Sequence, residues 1–291
     1  MLKQIIPIAL LGTIVLGTAS CKKGGSFQKT KDGVEYMIAK DVAGTQKPAV
    51  GDIIEYHLVA RLGDSTLFDS RKMMDNKPLQ KQLQEPAAAN KKMDPTEVIM
   101  MLTAGDSAVI RTELDSNMRK MYAFAKPEDK LEFRIALVSV KTKDQFEKEM
   151  QTKTDEQKGI DEKLLADYFA QNNITAQKTA SGLYYVISKE GTGATPEAGK
   201  TVKVNYTGKT MDGKVFDSNL DPQFQHVEPL EFMLGRGQVI PGWDEGIALL
   251  KKGSKGTFYI PSGLAYGAQS PNPNIPNNAI LVFDVELLDF K

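Results

Sequence analysis

Polar and apolar positions alternate with period two through Val202, Val204 and Tyr206, and again through Leu281, Phe283, Val285 and Leu287, which predicts strands with one buried face. Gly182 to Ser188 and Lys255 to Ile260 read as further strands. The strongest helix signal of this region lies between them, over Pro241 to Leu250. Proline suits the first turn, Asp244 and Glu245 complement the positive end of the helix dipole, Lys251 and Lys252 suit the other end, and Gly253 stops it. Further upstream, KTKDQFEKEMQTKTDEQKGIDEKLLADYFAQNNI is proline-free and rich in helix formers, with Ile160, Leu164, Leu165, Tyr168 and Phe169 on one stripe. Gly159 is a candidate break in it, and Asn172 and Asn173 suit its end. The stripe packs on a neighbouring domain or forms a dimer contact.

An earlier segment repeats the later one. At a constant offset of 148, Gly51 falls on Gly199, Phe68 on Phe216, Asp69 on Asp217, Ser70 on Ser218, Leu102 on Leu250 and Gly105 on Gly253. After a two-residue slip, LEFRIALVSVK (131–141) falls on LVFDVELLDFK (281–291). The alternatives are a duplicated fold and a chance likeness of two α+β segments. The chain thus divides into 1–20, a polar tether 21–29, a first domain 30–141, a helical connector 142–180 and a terminal domain 181–291.

The extreme N-terminus has its own pattern: Lys3, an apolar run from Ile5 to Leu16, then Gly17, Thr18, Ala19 and Ser20 before Cys21. These are the charged, apolar and small-residue parts of a secretory signal, too short to favour a spanning helix. Cys21 is the single cysteine of 291 residues. The arrangement resembles a bacterial lipoprotein, which implies lipidation of Cys21 and a protein held at a membrane; the alternative is a simple secretory peptide with an incidental cysteine. Lys22 after it lacks the aspartate that signals inner-membrane retention, which favours the outer membrane, facing the periplasm. Thirty-seven basic residues balance thirty-seven acidic ones, so nothing calls for nucleic acid. His57 has no companion ligands, so no metal is expected.

The segments VNYTGKTMDGKVFDS, FMLGRGQVIPGWDEG, LAYGA and AILVFDVELLDF follow one another in residues 181–291 and supply many aromatics but no paired general acid and base. By these motifs the terminal domain resembles the FKBP-type peptidyl-prolyl cis-trans isomerases. The resemblance implies an α+β fold, a curved antiparallel sheet wrapped on a short helix, and an enzyme that needs no cofactor. It also implies site roles. Trp243 is the floor beneath a proline ring, and Tyr206, Phe216, Val239, Ile240 and Phe283 are walls, with Leu230 at a wall position where many members carry an aromatic. The Tyr266 hydroxyl and the Ile240 N–H donate to substrate carbonyls, and Asp217 orients the pocket from its rim. Tyr206 is the expected partner of Asp217; the segment has no arginine to pair with that carboxylate, and His226 either takes the arginine's place or is simply solvated. Pro271 to Pro276 form a flap, with Ile275 its contact.

In the first domain Pro95 stands in place of Trp243, Leu58 in place of Tyr206 and Met118 near the place of Tyr266, while Phe68, Asp69 and Phe133 remain. It reads as a degenerate copy without activity. The expected partners are unfolded or proline-containing polypeptides of exported proteins, the membrane through Cys21, and macrolide inhibitors. The competing functions are a chaperone in which isomerisation is incidental and a scaffold lipoprotein that binds one proline-containing partner.

Overall fold

The computed structural model describes residues 25–44, 46–85 and 94–291. The expected secretory signal over residues 1–20 and Cys21, the expected lipidation site, lie outside the described residues. The chain forms two compact units, the first ending at Lys148 and the second beginning at Glu149.

The first unit contains β1 (Gln28–Lys29), β2 (Glu35–Lys40), β3 (Ile53–Leu62), β4 (Ser65–Asp69), α1 (Ser70–Met73), β5 (Leu79–Gln82), α2 (Thr96–Ile99), β6 (Ser107–Glu113), α3 (Ser116–Met121) and β7 (Lys130–Lys141). Then come α4 (Lys143–Asn172), β8 (Gln177–Lys178), β9 (Tyr184–Lys189), β10 (Thr201–Thr210), β11 (Val215–Ser218), β12 (Leu230–Met233), α5 (Pro241–Ala248), β13 (Lys255–Ile260) and β14 (Leu281–Phe290).

Each unit is built on one antiparallel sheet of seven strands. The order β1-β2-β6-β7-β3-β4, with β5 on β3, is matched by β8-β9-β13-β14-β10-β11, with β12 on β10. Even the irregularities coincide. The β3–β7 register shifts between Glu55 and Tyr56, and the β10–β14 register between Lys203 and Val204. The β3–β4 shift after Ala60 recurs in β10–β11 after Gly208. Bulges set the twist and closure of a sheet, so their recurrence at the same offset makes this one fold used twice.

In the second unit, alternation along the strands sends Val202, Val204, Tyr206, Phe258, Ile260, Leu281, Phe283, Val285 and Leu287 to one core, closed by Trp243 and Ile247 of α5. Gly246 lets α5 lie close: a Cβ there would stand 2.7 Å from the Phe258 ring. The opposite face of the sheet, through Tyr259, Ile280 and Val282, is covered by Leu165, Tyr168 and Phe169 of α4.

Two sequence expectations change here. The helix α4 runs through Gly159 without a break, because one exposed glycine costs only about 1 kcal/mol against a 30-residue helix. Its stripe is also narrower than expected. Leu165 is fully buried and Tyr168 and Phe169 are half-buried, whereas Ile160 and Leu164 are exposed. The helix ends at Asn172, and Asn173 takes a left-handed turn at φ +53°. Among the described residues no helix is long and apolar enough to cross a membrane.

Candidate functional site

Trp243 stands on the first turn of α5, which starts because Pro241 fixes the backbone at a position whose N–H needs no partner. Three rings converge on the indole. Tyr206 meets it edge-on at 5.1 Å and 84°, Phe283 at 5.1 Å and 86°, and Phe232 lies tilted at 6.0 Å. Phe216 in turn stands edge-on to Phe283 at 5.6 Å. Such pairs contribute about 0.5–1.5 kcal/mol each beyond burial and fix ring orientation. The indole is 3% exposed, and its N–H has no acceptor among the described residues. Around it the half-buried Phe216, Leu230, Val239 and Ile240 pack against the same cluster, and Tyr266 is exposed.

Gly208 of β10 lies flat beneath two of these rings. A Cβ on it would sit 2.5 Å from Phe283 and 2.8 Å from Phe216. Glycine is demanded by close approach, not by a left-handed backbone.

At the rim, both oxygens of Asp217 are engaged. The Tyr206 hydroxyl donates to Oδ2 at 2.7 Å, as expected, and His226 Nε2 lies 2.7 Å from Oδ1. His226 also stacks on Tyr206, with ring planes 24° apart. Burial, then the hydrogen bond and charge of Asp217, push the Tyr206 phenol far above its ordinary value, so it stays a donor. Burial and the Asp217 carboxylate push the Tyr266 phenol up as well. Neither the Tyr266 hydroxyl nor the Ile240 N–H has an acceptor among the described residues. The Ile240 side chain packs against the ring cluster, and the Tyr266 phenol is near enough to Asp217 and Tyr206 to be coupled to them electrostatically.

The structure brings Tyr206, Phe216, Leu230, Val239, Ile240, Trp243, Ile275 and Phe283 into one cluster. Ile275, the expected contact of the flap, is 4% exposed and packed within this cluster.

Three supporting residues were not read from the sequence. Phe232 completes the ring set. Asn219, 2% exposed, accepts from the Tyr206 N–H at 2.8 Å and donates to the Val204 and Glu228 carbonyls, fixing the long segment that returns from Asp217. Asp244 accepts from the N–H groups of Gly235 and Gly237, at 2.8 and 3.0 Å, and so pins the turn that presents Val239 and Ile240. An acidic residue in the first turn of a helix reads as a dipole complement, which hid that second role.

The first unit lacks this chemistry. Leu58 has no hydroxyl for Asp69, whose carboxylate caps α1 by accepting from the Arg71 N–H at 3.1 Å. Pro95 precedes the short α2 where α5 carries its indole. A cleft of about 290 Å³ in this unit is edged by Lys29, Glu35, Arg111, Glu113 and Lys130. Its charges are already paired: Lys130 binds Glu35 and Glu113 at 2.9 and 3.1 Å, and Arg111 binds Glu132 at 2.9 Å.

Comparison with known proteins bears on this arrangement. Residues 193–288 match the FKBP-type peptidyl-prolyl cis-trans isomerase family. The chain is 53% identical over 112 residues to the FKBP-type peptidyl-prolyl cis-trans isomerase FkpA of Aeromonas hydrophila, covering 38% of this chain and 39% of that protein. It is 45% identical over 136 residues to a probable FkpA of Neisseria meningitidis serogroup B, covering 47% and 46%. Over 256 residues it is 33% identical to FK506-binding protein 4 of Emericella nidulans, covering 86% of this chain and 47% of that one. The crystal structure of FkpA from Escherichia coli is similar at 35% identity with a TM-score of 0.39, over 53% of this chain and 75% of that one. The chain thus spans less than half the length of these curated relatives.

Proposed function

The second unit belongs, through residues 193–288, to the FKBP-type peptidyl-prolyl cis-trans isomerase family, and from that premise we propose that the chain speeds rotation about Xaa–Pro bonds in exported polypeptides. The observation that carries the reading is a buried ring cluster around Trp243, with Ile240 packed against it and with the Ile240 N–H and the Tyr266 hydroxyl lacking acceptors among the described residues.

Rotation of a peptide bond must cross roughly 18–20 kcal/mol because conjugation is lost in the twisted state. For proline the cis and trans forms differ by only about 0.5–1 kcal/mol, so a catalyst has a balanced reaction to speed. Without one it takes on the order of tens of seconds. No bond is broken, and no proton need move. The planar amide is more dipolar than the twisted one, so an apolar cleft weakens the ground state more than the transition state. The prolyl ring lies against the indole after parting the half-buried wall side chains. The Ile240 N–H and the Tyr266 hydroxyl hold carbonyl oxygens of the substrate, selectively in the twisted form. Asp217, held by Tyr206 and His226, orients the substrate at the rim. Macrolides of the FK506 type occupy the same cleft.

Lys3, the apolar run and the small residues before Cys21 support secretion and a lipid anchor at Cys21, at the outer membrane facing the periplasm. The first unit, with Asp69 turned to cap a helix and no tyrosine on it, has no isomerase activity.

The test is cis-to-trans conversion of a short Xaa–Pro peptide by the full chain, with Tyr266→Phe and Asp217→Asn as folded controls and Trp243→Leu as the site knockout. Absence of acceleration by folded wild-type chain rejects the reading. A chaperone role, in which the first unit holds unfolded segments, is favoured by the exposed Met73, Met74, Met121 and Phe124. In that case Met121→Ser with Phe124→Ser abolishes suppression of client aggregation while peptide isomerisation is kept.

A further inference from the structure

Asp161 is the least expected polar residue of the second unit. It lies on α4, outside the 193–288 segment that defines the family match, and it is 1% exposed. No lysine or arginine pairs with it among the described residues. Its Oδ2 accepts from the backbone N–H of Ser262 at 2.7 Å and from the Ser262 hydroxyl at 2.6 Å, and its Oδ1 accepts from Gln157 Nε2 at 2.7 Å. A buried carboxyl group survives only where hydrogen bonds replace water, and every one of its partners here is a neutral donor. The two bonds to Ser262 join residues 101 positions apart.

What they hold is the base of the Tyr266 loop. Ser262 follows the end of β13 and is itself 1% exposed. Its carbonyl accepts from the N–H groups of Ala265 and Gly267, at 3.0 and 2.9 Å, the two residues that flank Tyr266. The far side of the loop is tied where the Asn278 N–H donates to the Gly267 carbonyl at 2.8 Å. The helix that carries Asp161 is seated one turn later by Leu165, fully buried, and by Phe169, whose ring meets Tyr259 edge-on at 4.9 Å. Tyr259 is next to Ile260, the last residue of the same strand.

We propose that Asp161 is a positioning residue for the site: it anchors Ser262, so that the Ala265 and Gly267 bonds hold the Tyr266 hydroxyl beside the ring cluster. The segment read from the sequence as a spacer is then, from about Asp161 onward, a working part of the second unit. The activity arm of this inference rests on the isomerase reading; its structural arm does not.

The test uses the full chain with Asp161→Ala, Asp161→Asn and Ser262→Ala, and reads amide hydrogen exchange at Ala265 and Gly267 together with kcat and KM for an Xaa–Pro peptide. Asp161→Ala is expected to speed exchange at both amides about tenfold or more, the range set by losing hydrogen bonds to a charged group. It should lower kcat at least several-fold with KM changed far less, and Asp161→Asn, which keeps an acceptor oxygen, should recover most of both. Ser262→Ala keeps the backbone bond and should fall between. A merely structural role lowers the melting temperature but leaves exchange at these two amides no faster than at the rest of the unit. Wild-type exchange at both amides in folded Asp161→Ala overturns the proposal. Should that variant not fold, unchanged exchange in both Asp161→Asn and Ser262→Ala does the same. If the wild-type chain does not isomerise the peptide, the isomerase reading fails while the exchange measurement still decides whether the anchor exists.

Discussion

Substituting Gly208 by alanine adds one methyl group at the point where the site can least accommodate it. Although the β10–β11 register shifts just after it, Gly208 is not in the left-handed backbone region, so the perturbation is steric. The new Cβ would stand 2.5 Å from Phe283 Cε1 and 2.8 Å from Phe216 Cζ. Optimal carbon contact begins at about 3.5 Å, so the Phe283 ring must retreat by roughly 1 Å. It cannot do so alone, because it is edge-on to both Trp243 and Phe216. Overpacking of this kind costs about 1–3 kcal/mol, which for a unit of this size lowers the melting temperature by roughly 3–10 °C. A displacement of about 1 Å in a positioned site can cost up to ~100-fold in rate, so kcat/KM for an Xaa–Pro peptide is expected to fall by about 10- to 100-fold. The first unit offers an internal comparison. Ala60 occupies the matching position, paired in register with Phe133 and Phe68, and those two rings make no ring contact among the described residues. Thermal unfolding and the peptide assay on the full chain decide the matter. A folded Gly208→Ala chain with wild-type kcat/KM refutes the claim that these rings form the working surface.

Tyr206→Phe removes the 2.7 Å bond to Asp217 while keeping the ring; urea unfolding should show a loss of about 1 kcal/mol, discounted for the part-exposed carboxylate, and isomerisation should fall. Asp244→Ala hands the exposed Gly235 and Gly237 N–H groups to water, and is expected to cost only about 1 kcal/mol but to raise KM, because Val239 and Ile240 lose their fixed turn; an unchanged KM would count against that role. His57 is buried on β3, and burial, then the charge of Arg71, hold its imidazole below the ordinary value, against a weaker pull from Asp69. The unfolded chain takes up that proton near pH 6.5 and the folded one only at lower pH, so the first unit loses stability as pH falls below about 6.5. His57→Gln should flatten that slope between about pH 7 and pH 5; parallel slopes would show that His57 is not its source.

Local chemistry was legible wherever a residue's role is set by its neighbours in sequence. The alternation of β10 and β14, the proline that starts α5 and the glycine turns all read directly. The offset between the two units did too, because insertions between them are few. The roles of Asp244 and Asp161 were not legible, since an acidic residue on a helix is ordinarily solvated or set against the dipole. Only the fold brings Gly235, Gly237 or Ser262 to them. Gly159 misled for the converse reason: propensity argues for a break, but a cost of about 1 kcal/mol is too small to interrupt a 30-residue helix.

Each sheet has its latest-synthesised strand in the middle, β7 between β6 and β3, and β14 between β13 and β10. Until that strand emerges, each unit exists as two halves that share no hydrogen-bonded ladder, with open edges on both. Collapse therefore waits for nearly the whole unit, and its closing contacts span long stretches of sequence, which slows them. A nascent chain of this design therefore gains the longest ladder of each sheet, β3 with β7 and β10 with β14, only when the final strand of the unit has been made.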